Sequence, residues 1–428
     1  MFDLDRLAAV DLCVDEAGLI ERIAWLEWVK SAAAAGQARA AALLDEKRRA
    51  DEAAAGVPGA KQGRGVAGEV ALARRDSPSR GGRHLGFAKA LVYEMPHTLA
   101  ALECGALSEW RATLIVRESA CLGVADRRVL DAELCADVTK LEGMGDKRIT
   151  AAAKEIAARL DVQAVVDRAA KAEADRTVRI RPAPDCMVYV TVLLPVAQGV
   201  GVYAALKRAA DTTFDDRSRG QVMADTVVER VTGRPAAQPV SVAVNLVMTD
   251  EALWGQDSVP AVLDGYGPIP ASLAQRLVQD AVVDERSTAT LRRLYRHPNS
   301  GALVAMESRS RLFPKGLAGF IGIRDRTCRT PYCDAPIRHR DHATPRNRGG
   351  PTSATNGLGM CERCNYDKES PGWRVTAGEE TGVHTAEFVT PTGARYRSIA
   401  PPLPGAPLIT ISEVELRIGI TLADLHAA

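Results

Sequence analysis

Apolar residues recur every three to four positions through much of the N-terminal half of the chain, and this period predicts helices. Residues 1–55 are rich in Ala, Leu, Glu and Arg, and Gly, Pro and Arg interrupt the pattern between 56 and 86, which predicts a linker or a short helix there. Farther on, Ser108 is predicted to cap one helix, and Asp126 a second helix that ends near Gly143.

A long amphipathic helix is predicted to open at Asp146. Its apolar side chains fall on one stripe, which is typical of a helix that packs against other helices. We therefore interpret the stripe as a packing surface, formed by Ile149, Ala153, Ile156 and Leu160.

From residue 176 the pattern changes to short runs of β-branched residues, which predict strands. Two hairpins are expected, one from 177–180 and 187–194 and the other from 291–296 and 302–306. Between them the sequence predicts helices over 202–212 and 220–233 and a β-rich run over 239–248.

A chain of 428 residues is too long for one core, so two or three domains are expected. The predicted fold class is mainly α with a small α+β region, followed by a small module around two cysteine pairs. The boundaries that we predict are 1–175 for the helical region, 176–315 for its α+β continuation, 316–376 for the cysteine module and 377–428 for a strand pair and tail.

Charge adds a local signal to this picture. The net charge is only +1, which excludes a uniformly basic nucleic-acid coat, but seven arginines and three aspartates lie between Gly322 and Arg348. Arginine suits phosphate recognition, although a solvated basic face is the alternative. No apolar run is long enough to cross a membrane and the N-terminus lacks a signal pattern, so we expect a cytoplasmic protein with no membrane partner.

The cysteines divide into two groups. Five stand singly, whereas four form the pairs Cys328-x4-Cys333 and Cys361-x2-Cys364. Four thiolates at such spacings are typical of a closed tetrahedral zinc site, which is structural because it has no open position. The alternative is four unligated thiols.

Between the cysteine pairs, the sequence RHRDHA predicts a strand with Asp341 on one face and His342 on the other. Asp341 offers a hard oxygen to Mg²⁺ or Mn²⁺, and His342 can accept a proton near neutral pH, although such a pair is also typical of a surface ion pair. A Gly- and Pro-rich loop follows and ends at Asn356, just before a predicted helix, and Asn356 is a candidate for positioning this loop. On that helix, Asn365 is a candidate second metal ligand and Lys368 can reach a phosphate.

This order of motifs resembles the HNH endonuclease family, whose catalytic unit is a ββα-metal fold. The match is carried by Cys328, Cys333, Asp341, His342, Gly349, Gly350, Thr352, Asn356, Cys361, Cys364, Asn365 and Lys368. The resemblance implies that His342 is the general base, that Asp341 and Asn365 hold the catalytic ion, and that Asn356 fixes the loop that holds His342. The residues then expected to contact DNA are Arg338, Arg340, Arg346, Arg348 and Lys368.

Two departures from the family pattern stand out. Asn365 occupies a position where histidine is usual, which favours Mg²⁺ or Mn²⁺ over softer metals. His339 stands where related proteins often carry another Asp, and we interpret it as a surface residue.

The region upstream resembles the helical domain of unknown function 222, which precedes HNH modules in many actinobacterial proteins. The stretches that carry this likeness are GFAKALVYEMPHTLAALECGALS, ARLDVQAVVDRAAKAEADRTVRI, GPIPASLAQRLV and RDRTCRTPYC. Together the resemblances imply a DNA endonuclease that uses Mg²⁺ or Mn²⁺ with structural Zn²⁺, and a homodimer through the helical region is one expectation. The alternatives are a DNA-binding protein that is stabilised by zinc but does not cleave DNA, and a protein-interaction scaffold.

Overall fold

The computed structural model describes residues 4–11, 13–237, 245–283, 307–308 and 312–404. The chain divides into two compact units, Met1–Ala172 and Glu173–Ala428. None of the helices in the described ranges combines the length and the apolarity that a membrane crossing requires.

The predicted helical character of the N-terminal region is confirmed. Its α-helices are α1 (Leu4–Ala8), α2 (Glu16–Ala54), α3 (Val66–Ala73), α4 (Pro78–Tyr93), α5 (Pro96–Glu103), α6 (Glu109–Ser119), α7 (Val124–Cys135), α8 (Asp146–Leu160) and α9 (Val162–Ala174). The interrupted stretch 56–86 thus contains α3 and the start of α4, which begins at Pro78, a residue whose fixed φ suits the first helical turn.

Small residues allow the helices of the first unit to pack closely. The buried alanines of α2, which are Ala34, Ala35, Ala38 and Ala42, join one core with apolar residues of α4 to α8. The N-terminus of α5 is capped across the core by Asp131 of α7. This carboxylate accepts hydrogen bonds from the backbone N–H groups of His97 (2.8 Å) and Thr98 (2.7 Å).

Two of the predicted helix boundaries need comment. Ser108 caps α6 as predicted, since its side chain accepts a hydrogen bond from the Arg111 N–H. Asp126 does not cap α7. The helix begins two residues earlier, at Val124, and ends at Cys135, because Asp137 accepts hydrogen bonds from Thr139 and starts a separate 3-10 turn.

The amphipathic helix α8 opens at Asp146 as predicted, with Gly145 as its N-cap. Ile149 and Ala153 of its stripe are fully buried in the core of the first unit, and Ile156 and Leu160 pack against that core while partly buried.

The second unit begins with the predicted hairpin, formed by β1 (Thr177–Ala183) and β2 (Met187–Leu193). The first strand runs three residues farther than predicted and the second ends one residue earlier; the turn lies at Pro184–Cys186, with positive φ at Asp185 and Cys186. The predicted helices 202–212 and 220–233 correspond to α10 (Val196–Thr212) and α11 (Arg219–Thr232).

A small three-stranded sheet and two helices follow. They are β3 (Leu246–Val247), α12 (Asp250–Leu253), β4 (Ala261–Leu263), β5 (Gly267–Ile269) and α13 (Ala271–Val283). Of the β-rich run predicted over 239–248, the structure describes residues 245–248, and these include strand β3. The hairpin predicted over 291–306 lies outside the described residues.

The C-terminal part of the second unit carries the residues of the candidate site. Its elements are β6 (Glu307–Ser308), α14 (Lys315–Asp325), β7 (His339–His342), β8 (Thr352–Ser353), β9 (Gly357–Met360), α15 (Glu362–Asp367), β10 (Arg374–Glu380), β11 (Val383–Val389) and β12 (Arg395–Ile399). Strand β7 pairs with β9 and β6 with β8, both antiparallel. The predicted strand over RHRDHA is thus confirmed.

Two expectations for this part are corrected. Asn356 does not lead directly into the cysteine-bearing helix, because β9 lies between them and pairs with the strand of Asp341. The expected strand pair of the tail is a three-stranded antiparallel sheet, β10–β11–β12, whose first strand crosses the predicted boundary at 376. Phe388 and Val375 of this sheet pack in one core with the four paired cysteines.

A buried carboxylate ties these elements together. Asp325 at the end of α14 forms ion pairs with Arg324 (2.7 Å) and Arg329 (3.0 Å), and it accepts a hydrogen bond from the Gly359 N–H (2.7 Å). A Cβ at Gly359 would meet Cδ1 of Ile337 at 2.4 Å, so a larger residue there would require the Ile337 side chain to move.

Candidate functional site

The four paired cysteines converge on one point. All four are buried, and their sulfur atoms lie within 4.8 Å of one another. The Sγ atoms of Cys333 and Cys361 are 3.8 Å apart. In a tetrahedral zinc site, Zn–S bonds of about 2.3 Å place the sulfurs about 3.8 Å apart, so this donor set fits Zn²⁺.

Tight turns present each cysteine pair. The Cys333 N–H donates to the carbonyl of Thr330 (3.0 Å), and Tyr332 in this turn has φ of 63°. On the other side, Cys361 is the N-cap of α15, and its sulfur accepts a hydrogen bond from the Cys364 N–H (3.4 Å). Hydrogen bonds among the four sulfur atoms lower the pKa of Cys361 and Cys328 and raise the pKa of Cys333 and Cys364. Thiolate is the form that binds zinc.

Asp341 lies on β7, about one third exposed. Its Oδ1 accepts a hydrogen bond from the His342 N–H (2.8 Å), and its Oδ2 forms an ion pair with the Lys368 ammonium (2.9 Å). Burial disfavours the charged form of Asp341, but the hydrogen bond and charge of Lys368 outweigh it and lower the pKa of the carboxyl. Asp341 is therefore an anion at neutral pH.

His342 is buried, and its ring lies against the ring of Phe313, with 4.7 Å between centroids. Its Nε2 is 2.9 Å from the hydroxyl of Thr352, and its Nδ1 is 3.7 Å from Oδ1 of Asp341. Burial lowers the pKa of His342, and the nearby Asp341 charge only partly opposes this effect. A neutral imidazole whose Nε2–H donates to Thr352 would keep a lone pair on Nδ1.

Asn356 fixes the chain that follows His342. Its Oδ1 accepts a hydrogen bond from the Thr344 N–H (2.9 Å), and its Nδ2 donates to the carbonyls of Thr344 (3.0 Å) and Pro351 (2.8 Å). A side chain at Gly350 would lie 1.8 Å from the Thr344 carbonyl oxygen, which explains the glycine in this loop. The positioning geometry expected for Asn356 is therefore present.

Asn365 lies on α15, three residues before Lys368, so both side chains lie on nearly the same face of the helical turn. Its amide oxygen Oδ1 is buried, and within the described part of the chain it has no hydrogen-bond partner. An oxygen in this state is costly unless it finds a donor or a cation, so it suits a role as metal ligand.

The basic residues of this region separate into exposed and buried groups. Exposed arginines lie on and beside β7 and in the 3-10 turn before Gly349, namely Arg338, Arg340, Arg346 and Arg348. Lys368, the other residue expected to contact DNA, has a side chain that is 3% exposed and is held by Asp341 and Glu369. Arg324 and Arg329 are also buried, so two of the seven arginines in the basic stretch serve the fold.

Sequence reasoning missed several residues that shape this site. Thr352 belongs to the motif that resembles the HNH family, but nothing in the sequence predicted that its hydroxyl contacts the ring of His342. His384 of β11 is buried beside Arg329, and burial lowers the pKa of His384 to about 4. A lone histidine in the tail carries no sequence pattern that could have placed it there.

Comparison with known families gives one match. The family described as "Domain of unknown function (DUF222)" matches residues 24–325, more than two thirds of the chain. The chain belongs to the DUF222 family. No curated protein and no solved structure matches it. The DUF222 match ends at Asp325, so both cysteine pairs and the cluster around Asp341 lie C-terminal to it.

Proposed function

We propose that this DUF222 protein is an HNH-type DNA endonuclease that hydrolyses phosphodiester bonds with the help of Mg²⁺ or Mn²⁺. The observation that carries the proposal is the group of side chains between β7 and α15. There the Asn365 oxygen, which has no hydrogen-bond partner among the described residues, lies one turn before Lys368, and Lys368 contacts Asp341. A carboxylate and an amide oxygen are the ligand types that hard divalent cations prefer.

The order of elements also supports the HNH assignment. Strands β7 and β9 form an antiparallel pair, and α15 follows β9 directly. Asp341 and His342 lie at the end of the first strand, Asn356 just before the second, and Asn365 on the helix. This is the order that a ββα-metal unit requires.

In the proposed reaction, His342 accepts a proton from the attacking water through Nδ1. This role requires the tautomer whose Nε2–H donates to the Thr352 hydroxyl, 2.9 Å away, which holds the ring and leaves the lone pair on Nδ1. The Asp341 carboxylate, 3.7 Å from Nδ1, stabilises the imidazolium that forms. Asn356 keeps the chain after His342 in place, and so keeps the base at a constant distance from the substrate.

A divalent cation held by Asp341 and Asn365 would supply positive charge for the phosphate oxygens of the scissile bond. The exposed arginines Arg338, Arg340, Arg346 and Arg348 would bind flanking phosphates, which orients the duplex without reading its sequence. The four cysteines would bind Zn²⁺ in a structural role. A homodimer and a cytoplasmic location both stay predictions.

The test is nicking of supercoiled plasmid by the zinc-loaded protein in a series of Mg²⁺, Mn²⁺, Ca²⁺ and EDTA. We expect cleavage with Mg²⁺ or Mn²⁺, and a loss of at least about 100-fold in His342→Ala, in line with the contribution of a general base. Asn347→Ala, which changes an exposed residue of the neighbouring turn, is the matched control and should cleave at the wild-type rate.

Other outcomes of this assay point elsewhere. If wild-type protein binds DNA but does not cleave it with any cation, the non-cutting DNA-binding alternative replaces the nuclease. If His342→Ala cleaves as fast as wild type while retaining zinc, the assignment of the base is refuted.

A further inference from the structure

The environment of Lys368 is unusual for a lysine. Its side chain is only 3% exposed, and its ammonium contacts two carboxylates, Oδ2 of Asp341 at 2.9 Å and Oε1 of Glu369. Buried ammonium groups need such partners, because burial of an unpaired charge is strongly destabilising. Lys368 therefore depends on at least one of these two carboxylates.

The two carboxylates are not equivalent. Asp341 is one third exposed and contacts His342, whereas Glu369 is about half exposed and directly follows Lys368 in the sequence. The oxygen of Asp341 that Lys368 occupies is one that a cation would also need. Asn365, on the same face of the turn, carries a buried oxygen for which the described residues supply no donor.

Building on the proposed function, we infer that Lys368 is the resident counter-ion of Asp341, and that it moves to Glu369 when a divalent cation binds. Lys368 is then a positioning residue. It neutralises the Asp341 carboxylate and holds it in place before the cation arrives. Because Glu369 already contacts the ammonium, Lys368 keeps a partner after it leaves Asp341, and no buried charge is left unpaired.

This arrangement makes Lys368 a competitor of the cation. Removal of its charge leaves Asp341 free to bind a cation, and so raises affinity. Removal of the Glu369 charge takes away the second partner, makes displacement of Lys368 costlier and lowers affinity. Neighbouring residues in the sequence thus have opposite effects.

The experiment is titration of the zinc-loaded full chain with Mn²⁺, followed by electron paramagnetic resonance of the free ion, without DNA. Mn²⁺ prefers oxygen ligands and leaves the cysteine site to zinc. We expect Lys368→Met to tighten binding by on the order of tenfold, the worth of one charged hydrogen bond at a partly exposed site. Glu369→Gln is expected to weaken it by roughly threefold.

Matched controls separate this effect from a general change in charge. Arg363→Met removes a positive charge from the same helix, where Arg363 is 3.8 Å from Asp367 and 41% exposed. Glu362→Gln removes a negative charge from the first turn of that helix. Both are expected to change Mn²⁺ affinity by less than about twofold. Lys368→Arg keeps the charge and should not tighten binding, and retained zinc verifies that each variant is folded.

The outcomes distinguish this inference from the proposed function. An Mn²⁺ signal that Asp341→Ala abolishes supports the cation site. If Lys368→Met then binds Mn²⁺ no more tightly than wild type or Arg363→Met, the counter-ion role is refuted while the nuclease proposal stands. If no Asp341-dependent Mn²⁺ binding exists, the cation site itself is absent and both fail.

Discussion

Replacement of Asn356 offers the sharpest structural test of how His342 is held. The side chain is buried and makes three hydrogen bonds to backbone groups, one accepted from Thr344 and two donated to Thr344 and Pro351. At about 1 kcal/mol each, their loss in Asn356→Ala costs about 3 kcal/mol. This corresponds to a factor of about 100 in the local opening equilibrium.

The assay is hydrogen exchange by mass spectrometry on the zinc-loaded full chain. Peptides that cover 343–358 should exchange about 100-fold faster in Asn356→Ala, while peptides of the first unit stay unchanged. Wild-type protection of 343–358 in Asn356→Ala would refute the positioning role. Asn347→Ala, at an exposed position nearby, is the control and should exchange as wild type does.

Asn356→Asp adds a pH dependence with a defined sign. The new carboxylate would face the carbonyl oxygens of Thr344 and Pro351, where the amide now donates at 3.0 Å and 2.8 Å. Only its protonated form can donate, so its pKa in the folded state lies above the unfolded value of about 3.9. The folded state thus binds the proton more tightly, and the stability deficit relative to wild type shrinks as the pH falls from 7 to 5. A deficit that grows over this range would contradict the hydrogen-bond assignment.

Three further predictions concern the zinc site, the loop and the first unit. Cys364→Ser should abolish zinc binding, measured by atomic absorption, and expose the module to proteolysis; a folded module without zinc would contradict this. Gly350→Ala should lower the unfolding midpoint, since the added methyl meets the Thr344 carbonyl oxygen at 1.8 Å, whereas Gly378→Ala, which has open space, should not. Asp131→Ala removes three hydrogen bonds at the start of α5 and should destabilise the first unit by about 2–3 kcal/mol in urea unfolding; an unchanged midpoint would refute the cap.

Much of the architecture followed from local patterns. The helical period, the change to strands near 176 and the cap at Ser108 are short-range signals, and the structure agrees with them. The end of α7 was missed because Asp137 accepts a hydrogen bond from the Thr139 N–H and so starts a separate turn. Hydrophobic periodicity cannot predict such a contact. The third strand of the tail was missed because β12, with no buried residue of its own, is defined by its pairing with β11.

The candidate site was predictable where spacing carries the chemistry. Two cysteine pairs about thirty residues apart predicted a four-thiol cluster, and the strand over Asp341 and His342 followed from its flanking pattern. The partner of Lys368 could not be predicted, because a lysine near an anionic ligand can contact either substrate or protein. Only the distance to Asp341 decides this. Likewise, the number of arginines did not predict that Arg324 and Arg329 form buried ion pairs with Asp325.

The most direct test of the central proposal is the rate of plasmid nicking by wild-type and His342→Ala protein, both zinc-loaded, with and without Mn²⁺. The account predicts Mn²⁺-dependent nicking by wild type and a loss of at least about 100-fold in the variant. Equal nicking by both proteins, or no nicking by wild type with any divalent cation, would contradict it.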